Sequence, residues 1–117
     1  MKTKTAELTG MALDWAVDQC EASVAGHKSW YQDFLNRGVL SSPRYSTDWA
    51  RGGPIIERER ITVDAFVILG QWMAVFCVPN EEPWEMRGPT PLIAAMRCYV
   101  ASKLGDEVEV PDDVATR

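Results

Sequence analysis

Tryptophans and arginines recur together in this chain, and their chemistry is that of capture. Trp49 stands between Asp48 and Arg51, Arg58 and Arg60 follow in the same segment, and Trp84 precedes Arg87. An indole face stacks on a planar group, and a guanidinium offers forked donors to phosphate or carboxylate. Five tryptophans in 117 residues exceed what a small core demands. Trp15 and Trp72 are expected inside it, while Trp49 and Trp84 sit in polar contexts where a ring could wall a ligand site or pack at the rim. The candidate ligand-binding set is Tyr45, Asp48, Trp49, Arg51, Gly52, Gly53, Glu57, Arg58, Arg60, Trp84, Thr90 and Arg97. Against it stands a plainer reading, in which Glu57-Arg58-Glu59-Arg60 is a surface face laced by ion pairs.

Catalytic signatures are absent from the sequence. Its one histidine, His27, lies in a poorly patterned stretch with nothing around it to specify a triad. Cys20, Cys77 and Cys98 are widely spaced and odd in number, a poor disulfide framework and no zinc motif, and are expected as reduced thiols within the core. Asp48 and Glu57 could pair as acid and base, but capping and ion pairing explain them as well. Arg51-Gly-Gly-Pro lacks the spacing and the lysine of a phosphate-gripping loop. No enzyme activity, cofactor or metal is expected.

These residues need elements to position them. From Thr9, a good N-cap, Gly10 to Ala22 reads as an amphipathic helix with Asp14, Asp18 and Glu21 on its solvated face. Residues 24–43 are a packed surface element or a lid, with Trp30, Tyr31, Phe34 and Leu35 on a short helix or strand. Tyr45 to Trp49 reads as a turn or cap, and Gly52-Gly53-Pro54 as a sharp bend before one helical turn over Pro54 to Arg58. Ile61 to Ile68 and Gln71 to Val78 read as antiparallel strands joined at Leu69-Gly70. Trp84 to Arg87 leads into the best-specified element, a helix capped by Thr90, opened by Pro91 and stopped by Gly105. Its core stripe is Ile93, Met96 and Val100, flanked by Leu92, Tyr99 and Leu104, and Met1 to Thr5 is a short edge strand. The layout predicts an α+β fold: a small two-layer domain with a β-hairpin or small antiparallel sheet against two main helices.

Composition sets the outer bounds. A hydrophobic content of 46% supports one core without staples, so residues 1–105 are expected as a single globular domain. Most of the net charge of −5 falls in residues 106–117, expected as an exposed acidic tail, and the body shows no basic face. Nucleic-acid binding is therefore disfavoured. The longest apolar run, Ala65 to Leu69, is far shorter than the roughly 20 residues of a membrane span, and the start lacks a secretory core.

Two segments carry a resemblance: Tyr45-Ser-Thr-Asp-Trp-Ala-Arg-Gly-Gly-Pro-Ile-Ile-Glu-Arg-Glu-Arg-Ile61 and Gly88-Pro-Thr-Pro-Leu-Ile-Ala-Ala-Met-Arg-Cys-Tyr-Val-Ala-Ser-Lys-Leu-Gly105. Together they resemble the NinX-like family of accessory proteins of lambdoid and related bacteriophages, with its TDWxxGGPIIERERI element and GPTPLIAAMR helix. The resemblance implies a phage accessory protein acting in the cytoplasm of the infected bacterium, and it transfers no reaction. The expected function is sequestration of a small anionic, nucleotide-derived signal of host defence, in a homo-oligomer if copies complete the pocket. The alternative is a module that binds a host protein, its acidic tail mimicking nucleic acid. Either way, the two segments are expected to meet.

Overall fold

The computed structural model describes residues 1–24, 26, 29–38, 43–66 and 70–115, so His27, residues 39–42 and the 67–69 side of the expected hairpin joint lie outside the described residues. The elements run β1 (Lys2–Lys4), a 3-10 turn, α1 (Gly10–Val24), α2 (Trp30–Arg37), α3 (Trp49–Glu59), β2 (Thr62–Phe66), β3 (Gln71–Phe76), β4 (Trp84–Gly88), α4 (Pro91–Leu104), β5 (Glu107–Glu109) and α5 (Asp112–Ala115). The fold is α+β, with two small antiparallel sheets.

Helix α4 is the axis of the molecule. Thr90 accepts a hydrogen bond from the Ile93 N–H at 3.1 Å and Pro91 occupies the first turn, where its missing donor costs nothing. The expected apolar stripe is in fact most of the circumference, with Leu92 to Met96 and Cys98 to Ala101 buried, whereas Leu104 is exposed. A helix apolar all round must be covered on several sides. The sheet β2-β3-β4 covers one side, and α1 and α3 cover others. The helical layer is thus two deep. Gly88 makes the sheet contact possible: a Cβ there would lie 2.8 Å from the Ala94 nitrogen.

Three expectations are corrected. Asp14, Asp18 and Glu21 are buried instead of solvated, because each holds a later segment of the chain. Asp14 accepts the Ser46 N–H at 2.9 Å, Asp18 accepts the Ser29 hydroxyl at 2.7 Å, and Glu21 receives Arg58. Their spacing puts them on one face of α1, and that face docks Ser29, Ser46 and Arg58. Residues 106–115 are not a free tail. β5 pairs with β1, matching Lys2 to Glu109 and Lys4 to Glu107, while Val108, Val110 and Val114 enter the core. Cys20 and Cys98 are buried, with thiols pushed up to about 12 chiefly by burial, but Cys77 is exposed past the end of β3.

Other boundaries moved as well. The 30s aromatics form α2, capped by the Ser29 hydroxyl accepting from the Gln32 N–H. Pro54, expected to begin a helix, sits inside α3, which already starts at Trp49. Asp48, inside the expected Tyr45–Trp49 turn or cap, accepts the Ala50 N–H at 3.0 Å and starts that helix. Trp84 to Arg87 is the edge strand β4, held by pairing to β3 from Phe76↔Trp84 to Trp72↔Gly88.

Candidate functional site

Helix α3 carries most of the candidate residues, and its two ends differ in kind. The C-terminal end is committed to the fold. Arg58 donates from Nη2 to Glu21 Oε1 at 2.7 Å and from Nη1 to Oε2 at 3.2 Å, a bidentate pair. Its Nε donates to Glu59 at 2.8 Å and its Nη2 to the Tyr99 hydroxyl at 3.1 Å. Glu59 also pairs with Lys103 at 3.5 Å, and Lys103 lies over the rings of Phe76 and Tyr99. The hydrogen bonds to Glu21 outweigh desolvation and raise the Arg58 pKa further, so this guanidinium is permanently charged. Two carboxylates already neutralise it.

Arg60 closes the same end. At φ 56 and ψ 48 it holds the left-handed position usually given to glycine, and Ile61 N–H bonds back to the Ile56 carbonyl. Its side chain is exposed, as is that of Glu57. Nine residues of helical rise put Glu57 about 13 Å from Asp48, too far for the two carboxylates to act on one bond.

The N-terminal end is open. Trp49 is 54% exposed, and its ring rests near Gly53, where an added Cβ would lie 3.7 Å from Cε3. Gly52 brings the two sequence segments together: a Cβ there would collide with the Tyr45 carbonyl oxygen and stand 2.6 Å from Leu92 Cδ1. A cleft of about 160 Å³ follows from this contact, lined by Ser46, Thr47, Trp49, Thr90, Leu92 and Ile93. Both segments line it. On the other flank of α3 an open groove of about 300 Å³ is bounded by Glu21, Tyr45, Arg51 and Arg58, with Ala50, Pro54 and Ile55. Tyr45 is buried at its floor, its hydroxyl pKa raised first by burial and then by Asp18 and Glu21.

The side chains of two arginines here make no hydrogen bond or ion pair among the described residues. They are Arg51, on α3, and Arg44, which opens the turn leading to it. Arg44 escaped the sequence reading because nothing marked it beyond its place beside Pro43. Of the twelve candidates, Tyr45, Asp48, Trp49, Arg51, Gly52, Gly53, Arg58 and Thr90 gather around α3. Trp84 is half-buried on the face of β4 turned toward α4. Arg97 is elsewhere too: it donates to the Leu8 carbonyl at 2.7 Å and the Arg87 carbonyl at 2.8 Å, and desolvation lowers its pKa. It is a brace between α4, the 3-10 turn and β4. Among the described residues no group of acids, cysteines or histidine could hold a metal ion, and no helix is long and apolar enough to cross a membrane.

The fold and site define a small α+β domain with an exposed tryptophan beside a shallow cleft. The family model described as bacteriophage P22, NinX matches residues 4–103, and the chain belongs to that family. It is a phage accessory protein. No curated protein matches the chain.

Proposed function

We propose that this protein binds without catalysing, and that it captures a small anionic ligand with a flat ring at the N-terminal end of α3. A nucleotide-derived signal made by the infected cell has both features. The observation that carries this reading is an exposed Trp49 beside the cleft, with two exposed arginines at the same end of α3, on a chain whose net charge is −5. Arg44 lies in the preceding turn and Arg51 on the other flank of the helix, and their side chains make no hydrogen bond or ion pair among the described residues. The indole supplies a stacking face, and the neutral hydroxyl-lined cleft beside it suits the edge of a heterocycle. Arg51 also bounds the groove on the other flank, where Arg58 offers a phosphate little because Glu21 and Glu59 already balance it.

Capture of this kind withdraws a signal from its receptor in the host. The rival reading, a host-protein inhibitor with a nucleic-acid-mimicking tail, loses its free tail to β5 and α5. The test is to purify the full chain from phage-infected, defence-active cells, denature it, and seek a released nucleotide by mass spectrometry. Calorimetric titration with the recovered molecule follows. Base stacking on an aromatic ring contributes about 1–3 kcal/mol, so Trp49→Ala should weaken binding roughly 10- to 100-fold. Arg51→Ala should weaken it too, with a shallower salt dependence. If no nucleotide is retained or titrates, the reading fails.

A further inference from the structure

The sheet β2-β3-β4 has a second face. Ala74 and Phe76 are buried against α4, so Met73 and Val75, which alternate with them, point the other way, together with Thr62 and Asp64 on β2 and Glu85 and Arg87 on β4. No other described element packs appreciably on this outer face. Met73 and Val75 are half-buried at its centre, and the four flanking residues are exposed. An apolar centre with a polar rim is the anatomy of an interface.

The rim has a definite order. The register puts Asp64, Met73 and Arg87 in one row across the sheet, so a negative charge, an apolar side chain and a positive charge follow one another. A two-fold axis along β3 lays this row on itself reversed. Asp64 then faces the second copy's Arg87, Met73 faces its counterpart, and Thr62 faces Glu85. A two-fold axis across the strands through this row would instead set Asp64 against Asp64 and Arg87 against Arg87. Facing sheets pack nearly aligned at about 10 Å, within reach of an aspartate–arginine pair. Charge thus selects one of the two arrangements.

We infer that the outer face of β2-β3-β4 is a homodimer interface, isologous about an axis along β3. The occupant is a second copy because the charge pattern is its own complement. The face measures only roughly 15 by 17 Å, well below the about 800 Å² per partner of a standard interface. The dimer is accordingly weak and concentration-dependent. It turns away from α4, and hence from the Trp49 cleft, leaving a ligand site open on each copy.

Sedimentation velocity of the full chain from about 10 µM to about 1 mM tests this. Wild type should shift from monomer to dimer over that range, and Met73→Glu should stay monomeric. Asp64→Arg and Arg87→Asp should each weaken association by about tenfold or more, and the double charge swap should restore it. All four changes lie on exposed or half-exposed positions, and circular dichroism checks their folding. A chain monomeric throughout, or a double swap no better than the singles, overturns the inference. Ligand capture by the swapped variants should match wild type, so failure here is separable from failure of the binding reading.

Discussion

The two ends of α3 are built from the same kinds of residue and do opposite things. At the C-terminal end Arg58 is tied to Glu21, Glu59 and Tyr99, and with Lys103 it joins α1, α3 and α4. At the N-terminal end Trp49 and Arg51 are exposed, on two different flanks of the helix. One arginine cluster is a clasp and the other is a surface. A motif dense in tryptophan and arginine is therefore no single signal. What separates its halves is whether a buried carboxylate lies opposite: Glu21 lies opposite Arg58, and no acid among the described residues is paired with Arg51.

The sharpest way to break the comparison is at the hinge between the ends. Gly52→Ala places a methyl against the Tyr45 carbonyl and Leu92, and a backbone oxygen cannot rotate away. The expected loss is about 2–4 kcal/mol in urea unfolding. Next is Arg58→Leu, which leaves the Glu21 carboxylate buried without its partner. Because the arginine side chain is 38% exposed, the expected cost is about 2 kcal/mol and not the 3–5 of a fully buried pair. The double variant Glu21→Leu, Arg58→Leu should recover most of it. If Arg58→Leu is neutral, the clasp is not what distinguishes this end.

A smaller effect is expected from pH. Burial alone would raise the Glu59 pKa, but the Arg58 hydrogen bond and the charge of Lys103 outweigh it and hold the carboxyl below its ordinary value of 4.5. Its folded form is thus the better acid, so its contribution is present above pH 4.5 and is lost as pH falls through the folded value. Asp14 runs the other way: burial raises its pKa above 3.8, so it lowers stability as pH rises through its folded value. Acid titration of stability should therefore be flatter in Glu59→Gln on the low-pH side and unchanged there in Arg51→Ala. Smallest of all, Trp49→Ala and Arg51→Ala should shift the unfolding free energy by no more than about 0.5 kcal/mol. A large loss in either would mean that the N-terminal end also holds the fold.

Much of the fold was legible because local signals agreed. Thr90, Pro91 and Gly105 bound α4 by capping chemistry that needs no tertiary partner. The β-branched and aromatic runs marked β2 and β3, and the core needed Trp15 as expected. The site was legible as a list and illegible as a geometry. Arg58 and Arg97 looked as available as Arg51, since a sequence does not show that Glu21 and the Leu8 and Arg87 carbonyls lie across from them.

The same limit explains the errors. Asp14, Asp18 and Glu21 fall on one helical face, and a row of acids is ordinarily solvated; the docking of Ser29, Ser46 and Arg58 makes that face interior. Residues 106–115 are acidic but alternate around Val108 and Val110, and the alternation became a strand because β1 offered an edge. By itself the sequence determined the family, through its two motif segments, and the elements with strong local signals, α1, α4, β2 and β3, since these follow from caps and periods acting over a few residues. Tertiary structure alone decided which charges are neutralised, because that depends on what stands opposite, tens of residues away along the chain.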